Sequence, residues 1–472
     1  MTGLSWTDET VRSWGMVASG RSEVLRPTTA DEVAEAMREV TAGGFRLGLR
    51  GAGCSYGDAS MNTGGKLLDL SRMNKILSFD EDLGEAVVEP GVTIRQLWRY
   101  SIERRHWPMV VPGTMEVTCG GAAAMNIHGK NNFAVGTFGD NIVEFTMLTP
   151  TGETLECNRE QNADVFHAAI GGFGMLGVFV SMRLKLKRVY SGRMRVTSIA
   201  TKDLEAGLDY LEQHRVDADY LVGWLDLHAR GKALGRGAIH HADHPAAGED
   251  PDGEKMMSAT RQDVPANLFG VIPKGWIWPG MWLFLQCGLW RFVNAAKYYA
   301  GVREAKHPPY LQTHGGFQFL LDYVPNWKKM TSPGGLIQFQ PFVPKDDAAC
   351  VYRTLIEMSH KEGLVPYLGV LKRHRPDPFL MTHAVDGFSL AMDFSVKRRR
   401  KDRLWALCQR MAEVVLDAGG RFYYAKDSVL AESSFTRIHG EDAVQQFRAL
   451  KARLDPQNIL STDLSRRMLG ES

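Results

Sequence analysis

The chain has 472 residues, 44% hydrophobic and 23% charged, which is too much chain for one simple core and enough apolar material for two domains. Its formal net charge of +2 lacks the basic balance of a general nucleic-acid binder. Six cysteines, at 54, 119, 157, 287, 350 and 408, form neither CxxC pairs nor a dense framework, which suits reduced cytoplasmic thiols and implies no metal site.

The N-terminal run MTGLSWTDETVRSWG has no basic region followed by an apolar core, so it is not a secretory signal and cytoplasmic folding is expected. Thr29 to Glu32 reads as a capping box opening a helix over 31–40, and 46–49 as a short buried strand. That strand leads into a first glycine-rich loop, RGAGCSYGDASMNTGG, at 50–65. Strand-like runs follow at 66–70, 86–89 and 145–149, the last closed by the turn Pro150-Thr151-Gly152.

Between them lies PGTMEVTCGGAAAMNIHGKNNFAVGTFGDN, at 112–141, with almost no bulky apolar side chains. Gly113, Gly120, Gly121, Gly129, Gly136 and Gly139 there suggest loops whose N–H groups face an anion. Two such loops, roughly sixty residues apart, suit the two ends of one extended cofactor. Gly51-Ala52-Gly53 lacks the third glycine of GxGxxG, and GxxxxGK[ST] is absent, so neither a Rossmann site nor a P-loop is indicated.

Alternation over 182–186 closes a first lobe, and 190–196 crosses into a second. There a helix over 204–214, strands at 220–226 and 335–343, a helix over 346–361 and strands at 365–372 and 388–394 predict an antiparallel sheet with helices on one face. The acidic, Gly- and Pro-rich stretch 241–254 reads as a mobile loop, and there is no internal repeat. A helix over 402–418 leads back through 421–426. The architecture expected is α+β.

The segment 267–301 holds four of the eleven tryptophans. Pro279, Gly280, Gln286, Gly288 and Arg291 interrupt its apolar core, and Lys274 and Lys297 flank it, which favours a membrane-interface contact or lipid-entry lid over a span. A helical hairpin packed on its own domain is the alternative. Lys397 to Lys401, KRRRK, would add attraction to anionic lipid or simply start a solvated helix.

The two glycine-rich runs, with FHAAIGGFGMLGV (166–178), YYAKDS (423–428) and ILSTDLSRRML (459–469), resemble the flavoproteins of the vanillyl-alcohol oxidase type, which hold FAD in a two-part PCMH-type domain. The likeness covers 50–469 in chain order. It implies an FAD-binding domain over 1–195, a substrate or cap domain over 196–412 and a return over 413–472 that completes the FAD domain. It implies FAD held by Arg50, Gly51, Ala52, Gly53, Cys54, Ser55, Tyr56, Gly57, Pro112, Gly113, Thr114, Thr118, Gly120, Gly121, Ala124, Asn126, Ile127, Gly129, Gly177, Val178 and Tyr423.

The resemblance also implies hydride transfer from a secondary alcohol of a sugar to flavin. The most similar branch of the family acts on a pentose carried by a polyprenyl phosphate, as the oxidation half of a 2'-epimerisation in cell-wall polysaccharide biosynthesis. A separate NAD(P)-dependent reductase and a peripheral seat at the inner membrane are implied with it.

Lys426 is the first candidate to position or deprotonate the substrate hydroxyl, and abstraction requires a site that lowers its pKa. His128 and Lys130 follow directly from the cofactor loop, at the flavin and substrate entrance. Gln338 and Gln340 alternate on one predicted strand and so share a face suited to sugar hydroxyls. Lys372 and Trp224 fall where the relatives keep pocket residues. Two positions depart from the family. Cys54 stands where several relatives bear a flavin-linked histidine, so the FAD is expected to be noncovalent. Ala391 stands where ribose-oxidising members carry cysteine, so a pocket wall differs. A soluble aldonolactone or alditol oxidase, and a flavin-binding partner protein without turnover, remain as alternatives.

Overall fold

A computed structural model of the chain describes residues 4–264, 267–268 and 272–470. Strands β1 (Thr7–Arg12) and β2 (Ser19–Leu25), helix α1 (Ala30–Ala42) and strands β3 (Leu47–Arg50) and β4 (Lys66–Asp69) build a first sheet in the order β1-β2-β4-β3. The β2, β4 and β3 strands run parallel. Thr29 caps α1 by accepting from the Glu32 amide, whereas the Glu32 carboxylate reaches past it to the amide of Thr28. Val33, Ala36, Met37 and Val40 recur at helical spacing and pack on Leu47 and Leu68, so the first glycine loop leaves β3 from a fixed platform.

A second, antiparallel sheet follows from β5 (Ile76–Asp80), β6 (Glu85–Val88), α2 (Ile94–Ile102), β7 (His106–Pro108), α3 (Cys119–Ala124), α4 (Asn132–Val135), β8 (Ile142–Leu148), β9 (Thr154–Asn158), α5 (Ala163–Ala169) and β10 (Val178–Arg188). Its order is β5-β6-β10-β8-β9, with β7 also on β10. The second glycine-rich stretch is the connection between β7 and β8 and contains α3 and α4.

The third sheet is antiparallel and larger. Its elements are β11 (Arg193–Thr201), α6 (Leu204–Gln213), β12 (Tyr220–Leu225), β13 (Gly237–Asp243), α7 (Ala259–Gln262), the small pair β14 (Asn267–Leu268) and β15 (Ile272–Pro273), α8 (Trp278–Gln286), α9 (Trp290–Glu304), β16 (Tyr310–Thr313), α10 (His314–Gln318), β17 (Leu336–Phe339), β18 (Pro341–Pro344), α11 (Ala348–Glu362), β19 (Leu368–His374), β20 (Gly387–Ser395), α12 (Lys401–Asp417) and β21 (Arg421–Phe422). Without β14 and β15, which pair with each other, the order is β16-β11-β13-β12-β19-β20-β18-β21, with β17 also on β20.

Three expectations change here. The strand over 335–343 breaks into β17 and β18 at Gln340, because Pro341 has no N–H to continue the ladder. The stretch 241–254 starts inside β13, and Asp250 then ties it down by accepting from Ser191 Oγ at 2.5 Å and Arg193 Nε at 2.9 Å. Helices lie on both faces of the sheet: α6 and α11 pack on one through Leu208, Leu355, Ile239 and Leu371, and α9 covers part of the other.

Within 267–301, α8 packs on the turn at 327–331 and α9 on β11 and β13; Trp276 just before α8, Phe284 on α8 and Phe292 on α9 are exposed, Trp276 by 77%. Residues 269–271 lie outside the described residues. No helix among the described residues is long and apolar enough to cross a membrane. The chain ends with α13 (Glu432–His439), α14 (Glu441–Leu454) and α15 (Asp463–Leu469). Its closing turn returns to the first sheet, where the Leu47 amide donates to Ile459 at 2.7 Å and the Ser461 amide to Leu47 at 3.0 Å.

Candidate active site

The first glycine loop, the second glycine-rich stretch and one face of the third sheet enclose a cavity of about 630 Å³, within the range of small-molecule and cofactor sites. Its walls come from chain segments far apart in sequence, so each is held by a bond to another. The Tyr56 amide donates to Ala425 at 2.8 Å. Arg467 donates to both Asp58 oxygens, at 2.9 and 2.8 Å, and to Asp427 at 2.7 Å, clamping the first loop to the turn that carries Lys426. Asp322 accepts from Thr114 Oγ1 and the Met115 amide, each at 2.8 Å, and fixes the second stretch to the loop after α10.

The loops differ in where their amides point. In the second, the amides of Cys119, Gly120 and Gly121 are satisfied by Val92, Pro90 and Thr118, so they do not face a ligand as expected. Gly120 is needed instead because a Cβ would sit 2.7 Å from Pro90, and Gly51 because one would meet Thr118 Oγ1 at 2.1 Å. In the first loop, the amides of Ala52, Gly53, Cys54 and Ser55 make no hydrogen bond among the described residues. Four unpaired backbone donors beside the Arg50 guanidinium, on the cavity wall, are what a diphosphate would need.

The floor is the sheet face described by the pairings Trp224 to Ala238 and Val370, Val370 to Ala391, Lys372 to Ser389, and Asp393 to both Leu368 and Gln338. Side chains two apart on one strand share a face, which brings Lys372, Ala391, Asp393 and Gln338 together. Gln338 donates to Asp393 Oδ1, and Gln340, past the strand break, lies 3.1 Å from His128 Nε2. Lys372 Nζ lies 3.4 Å from His128 Nδ1. An amide nitrogen can only donate, so neutral His128 accepts from Gln340 at Nε2 and carries its proton on Nδ1, toward Lys372, which can accept it only as the neutral amine.

The cavity is rich in lysine. Lys130 is bonded to the Phe317 carbonyl and lies 4.2 Å from that ring's centroid; Lys426 Nζ lies 3.7 Å from the centroid of Tyr56. Burial, reinforced by Lys426, pushes Lys372 down to about 7. Burial and then Lys372 hold His128 well below 6.5, so it is neutral at pH 7. Burial also lowers Lys426 and raises Asp393, while their mutual attraction opposes both shifts. Their titrations therefore influence each other, although no ion pair within 4.0 Å joins them among the described residues. The second oxygen of Asp393 and the hydroxyls of Tyr56 and Tyr367 are buried without partners among the described residues.

Of the residues expected from sequence, Arg50 to Tyr56, Pro112, Gly113, Thr114, Thr118, Gly120, Gly121, Ala124, Ile127, His128, Lys130, Gly177, Trp224, Gln338, Gln340, Lys372, Ala391, Tyr423 and Lys426 line the cavity. Four do not. A Cβ on Gly57 would lie 1.9 Å from the Asp427 carbonyl, and one on Gly129 2.4 Å from Asn131, so both are backbone-crowding positions. Asn126 is spent on Asp377 and the Gly139 amide, and Val178 is packed in the core of the first sheet. Sequence reasoning missed Asp393, although it stands two residues from Ala391 on one strand, Tyr367 in the strand predicted over 365–372, and Asn294, and it took Lys297 only as a flank of the aromatic segment.

Residues 22–158 match a family model described as an FAD binding domain. The chain therefore carries a PCMH-type FAD-binding domain and is an FAD-dependent oxidoreductase; FAD is its cofactor. It is similar to decaprenylphosphoryl-beta-D-ribose oxidase of Mycolicibacterium smegmatis, at 26% identity over 99% of both chains. Shorter similarities are to L-gulonolactone oxidase of Bos taurus, 28% identical over 42% of this chain and 43% of that one, and to cytokinin dehydrogenase 7 of Oryza sativa subsp. japonica, 30% identical over 42% of each.

Proposed function

We propose that the enzyme oxidises a secondary alcohol of a pentose carried on a polyprenyl phosphate, as the oxidation half of an epimerisation that a separate NAD(P)-dependent reductase completes. The observation that carries this reading is the position of the Lys426–Asp393 pair and Lys372, where the cavity passes from the glycine loops onto the sheet face. FAD, held by Arg50 and the 52–55 amides, would supply the acceptor for the hydride of the carbinol carbon. The hydroxyl proton passes to Lys426, with Asp393 raising its proton affinity and Lys372 beside them, as the C=O bond forms. Gln338, Gln340 and neutral His128 orient the sugar hydroxyls, and Ala391 leaves room in the wall.

On this reading the 52–55 amides and Arg50 hold FAD, Gly120, Gly121 and Gly177 leave room for it in the wall, residues 1–195 and 413–472 form the cofactor side, and 196–412 shape the substrate side. The FAD is noncovalent. Burial raises the Cys54 thiol to about 11, which keeps it from the thiolate a linkage would require. The exposed side chains of Trp276, Phe284 and Phe292 favour a lipid-borne substrate and a peripheral membrane contact. The enzyme would then act in the cytoplasm, at the inner face of the membrane.

The deciding experiment is anaerobic mixing of purified enzyme with a farnesylphosphoryl pentose and with free alditols. Bleaching of the flavin by the lipid-linked sugar alone supports the proposal. Bleaching by free alditols or aldonolactones overturns it in favour of a soluble sugar oxidase. No bleaching by either group, together with an unaltered biological role for Lys426→Met, points to a non-catalytic flavoprotein.

A further inference from the structure

Beyond Lys372 the cavity continues beneath α9, whose Trp290, Asn294, Lys297, Gly301 and Glu304 recur at three- and four-residue spacing along its lining face. A Cβ on Gly301 would lie 3.1 Å from the Ala238 Cβ, so glycine lets the helix settle onto β13. Trp290 anchors the other end through its Nε1, which donates to the Tyr367 carbonyl at 2.7 Å. The helix is thus held at both ends, with its middle over open cavity.

That middle carries unmatched donors. Lys297 Nζ lies 4.4 Å from the centroid of the Trp224 ring, and no carboxylate stands within ion-pair distance among the described residues. Asn294 is 3% exposed with Nδ2 unpartnered, and Gln318, 1% exposed, has both amide atoms unpartnered. Burying such groups without partners is costly, and a ligand that supplies acceptors removes the cost. The remaining charged or titratable groups along this end of the cavity are Lys130, His240 on β13, Lys372 and Glu304. Glu304 stands two turns along α9, where it accepts from Ser198 Oγ at 2.9 Å. Burial lowers all three lysines, Lys297 to about 8 and Lys372 to about 7, and the one carboxylate is engaged, so an anion entering the chamber would favour their charged forms.

We infer that Asn294 and Lys297 of α9, with Gln318 on α10, form a subsite for the phosphate ester of the substrate. The subsite rests on the polyprenyl-phosphate reading above and deepens it. The Lys297 ammonium balances the phosphodiester charge, and the two side-chain amides donate to its free oxygens. Trp224 and Lys372 are diagonal neighbours on paired strands, about 7–8 Å apart, so Lys297, over the Trp224 ring, and Lys372 border one stretch of the sheet face.

The test compares holoenzyme with Lys297→Gln, Lys297→Arg and Asn294→Asp. Half-saturation for anaerobic flavin bleaching is read with a farnesylphosphoryl pentose and with the methyl pentoside, and inorganic phosphate binding is read from the flavin spectrum. Lys297→Gln and Asn294→Asp are expected to raise half-saturation for the phosphoryl sugar about tenfold or more, and for the methyl pentoside less than twofold, with Lys297→Arg close to wild type. Equal losses on both sugars, or no loss on either, overturn the subsite and leave the proposed function standing. If the wild type bleaches only with free alditols, the proposed function fails. Phosphate binding that Lys297→Gln abolishes would then still support an anion subsite, and unchanged binding would remove it. FAD content and melting temperature identify a misfolded variant, and Asn294→Asp, nearly isosteric, carries the test if Lys297→Gln is one.

Discussion

Lys426 and Tyr56 face each other across 370 positions of chain: the ammonium lies 3.7 Å from the centroid of the phenol ring. A cation held over an aromatic face is stabilised in its charged form, while burial favours the neutral amine. The lysine therefore sits between opposed influences from two loops, which places its proton affinity under the control of their packing.

Lys426→Met should retain flavin and lower the rate of flavin reduction about 10²–10⁴-fold, the range for a lost acid–base group. Stopped-flow reduction with the physiological sugar measures it. A loss below about tenfold would assign proton transfer to another group.

Lys372 sets a pH dependence. Its folded pKa of about 7 lies below the usual 10.5, so between these values the unfolded chain binds more protons than the folded one. Stability from this group therefore rises with pH through that window and falls toward pH 7, below which the cost is constant. Lys372→Met should raise the melting temperature more at pH 6 than at pH 9, and should remove any limb near pH 7 from the reduction rate.

Arg467→Met leaves Asp58 and Asp427 facing each other without their shared cation. The expected destabilisation is about 3 kcal/mol, with FAD released at lower temperature than from wild type, as followed by flavin fluorescence. Retention of both properties would remove the clamp from the account.

Gly120→Ala forces a methyl group against Pro90 and should cost about 1–3 kcal/mol by overpacking. Reduced FAD content with an otherwise folded protein is the expected result, read from absorbance ratios and circular dichroism.

Replacing Trp276, Phe284 and Phe292 together by serine should lower retention on anionic liposomes in a flotation assay and leave bleaching by a methyl pentoside unchanged. Unaltered flotation would leave these side chains without a lipid role.

Much of this was legible in the sequence, for identifiable reasons. Glycine-rich loops announce themselves because no other residue tolerates the crowding, and the periodicities of α1, α11 and α12 follow from one buried face each. The cause of the crowding was not legible. Gly57 and Gly129 yield to neighbouring chain and not to a ligand, and the amides of Gly120 and Gly121 are consumed internally. Asp393 was overlooked because a carboxylate in an apolar strand identifies itself only through its cross-strand partners. The orientation of α9 depends on Gly301 meeting Ala238, a contact between residues far apart in the chain that no local pattern encodes.

The first loop is closed by residues some 400 positions downstream: Asp463 receives the Thr63 amide at 2.8 Å, and Arg467 grips Asp58 at 2.9 Å. Contacts of such long sequence separation reward folding only after a large loop has closed, so the cavity takes its shape after the local structure of each sheet.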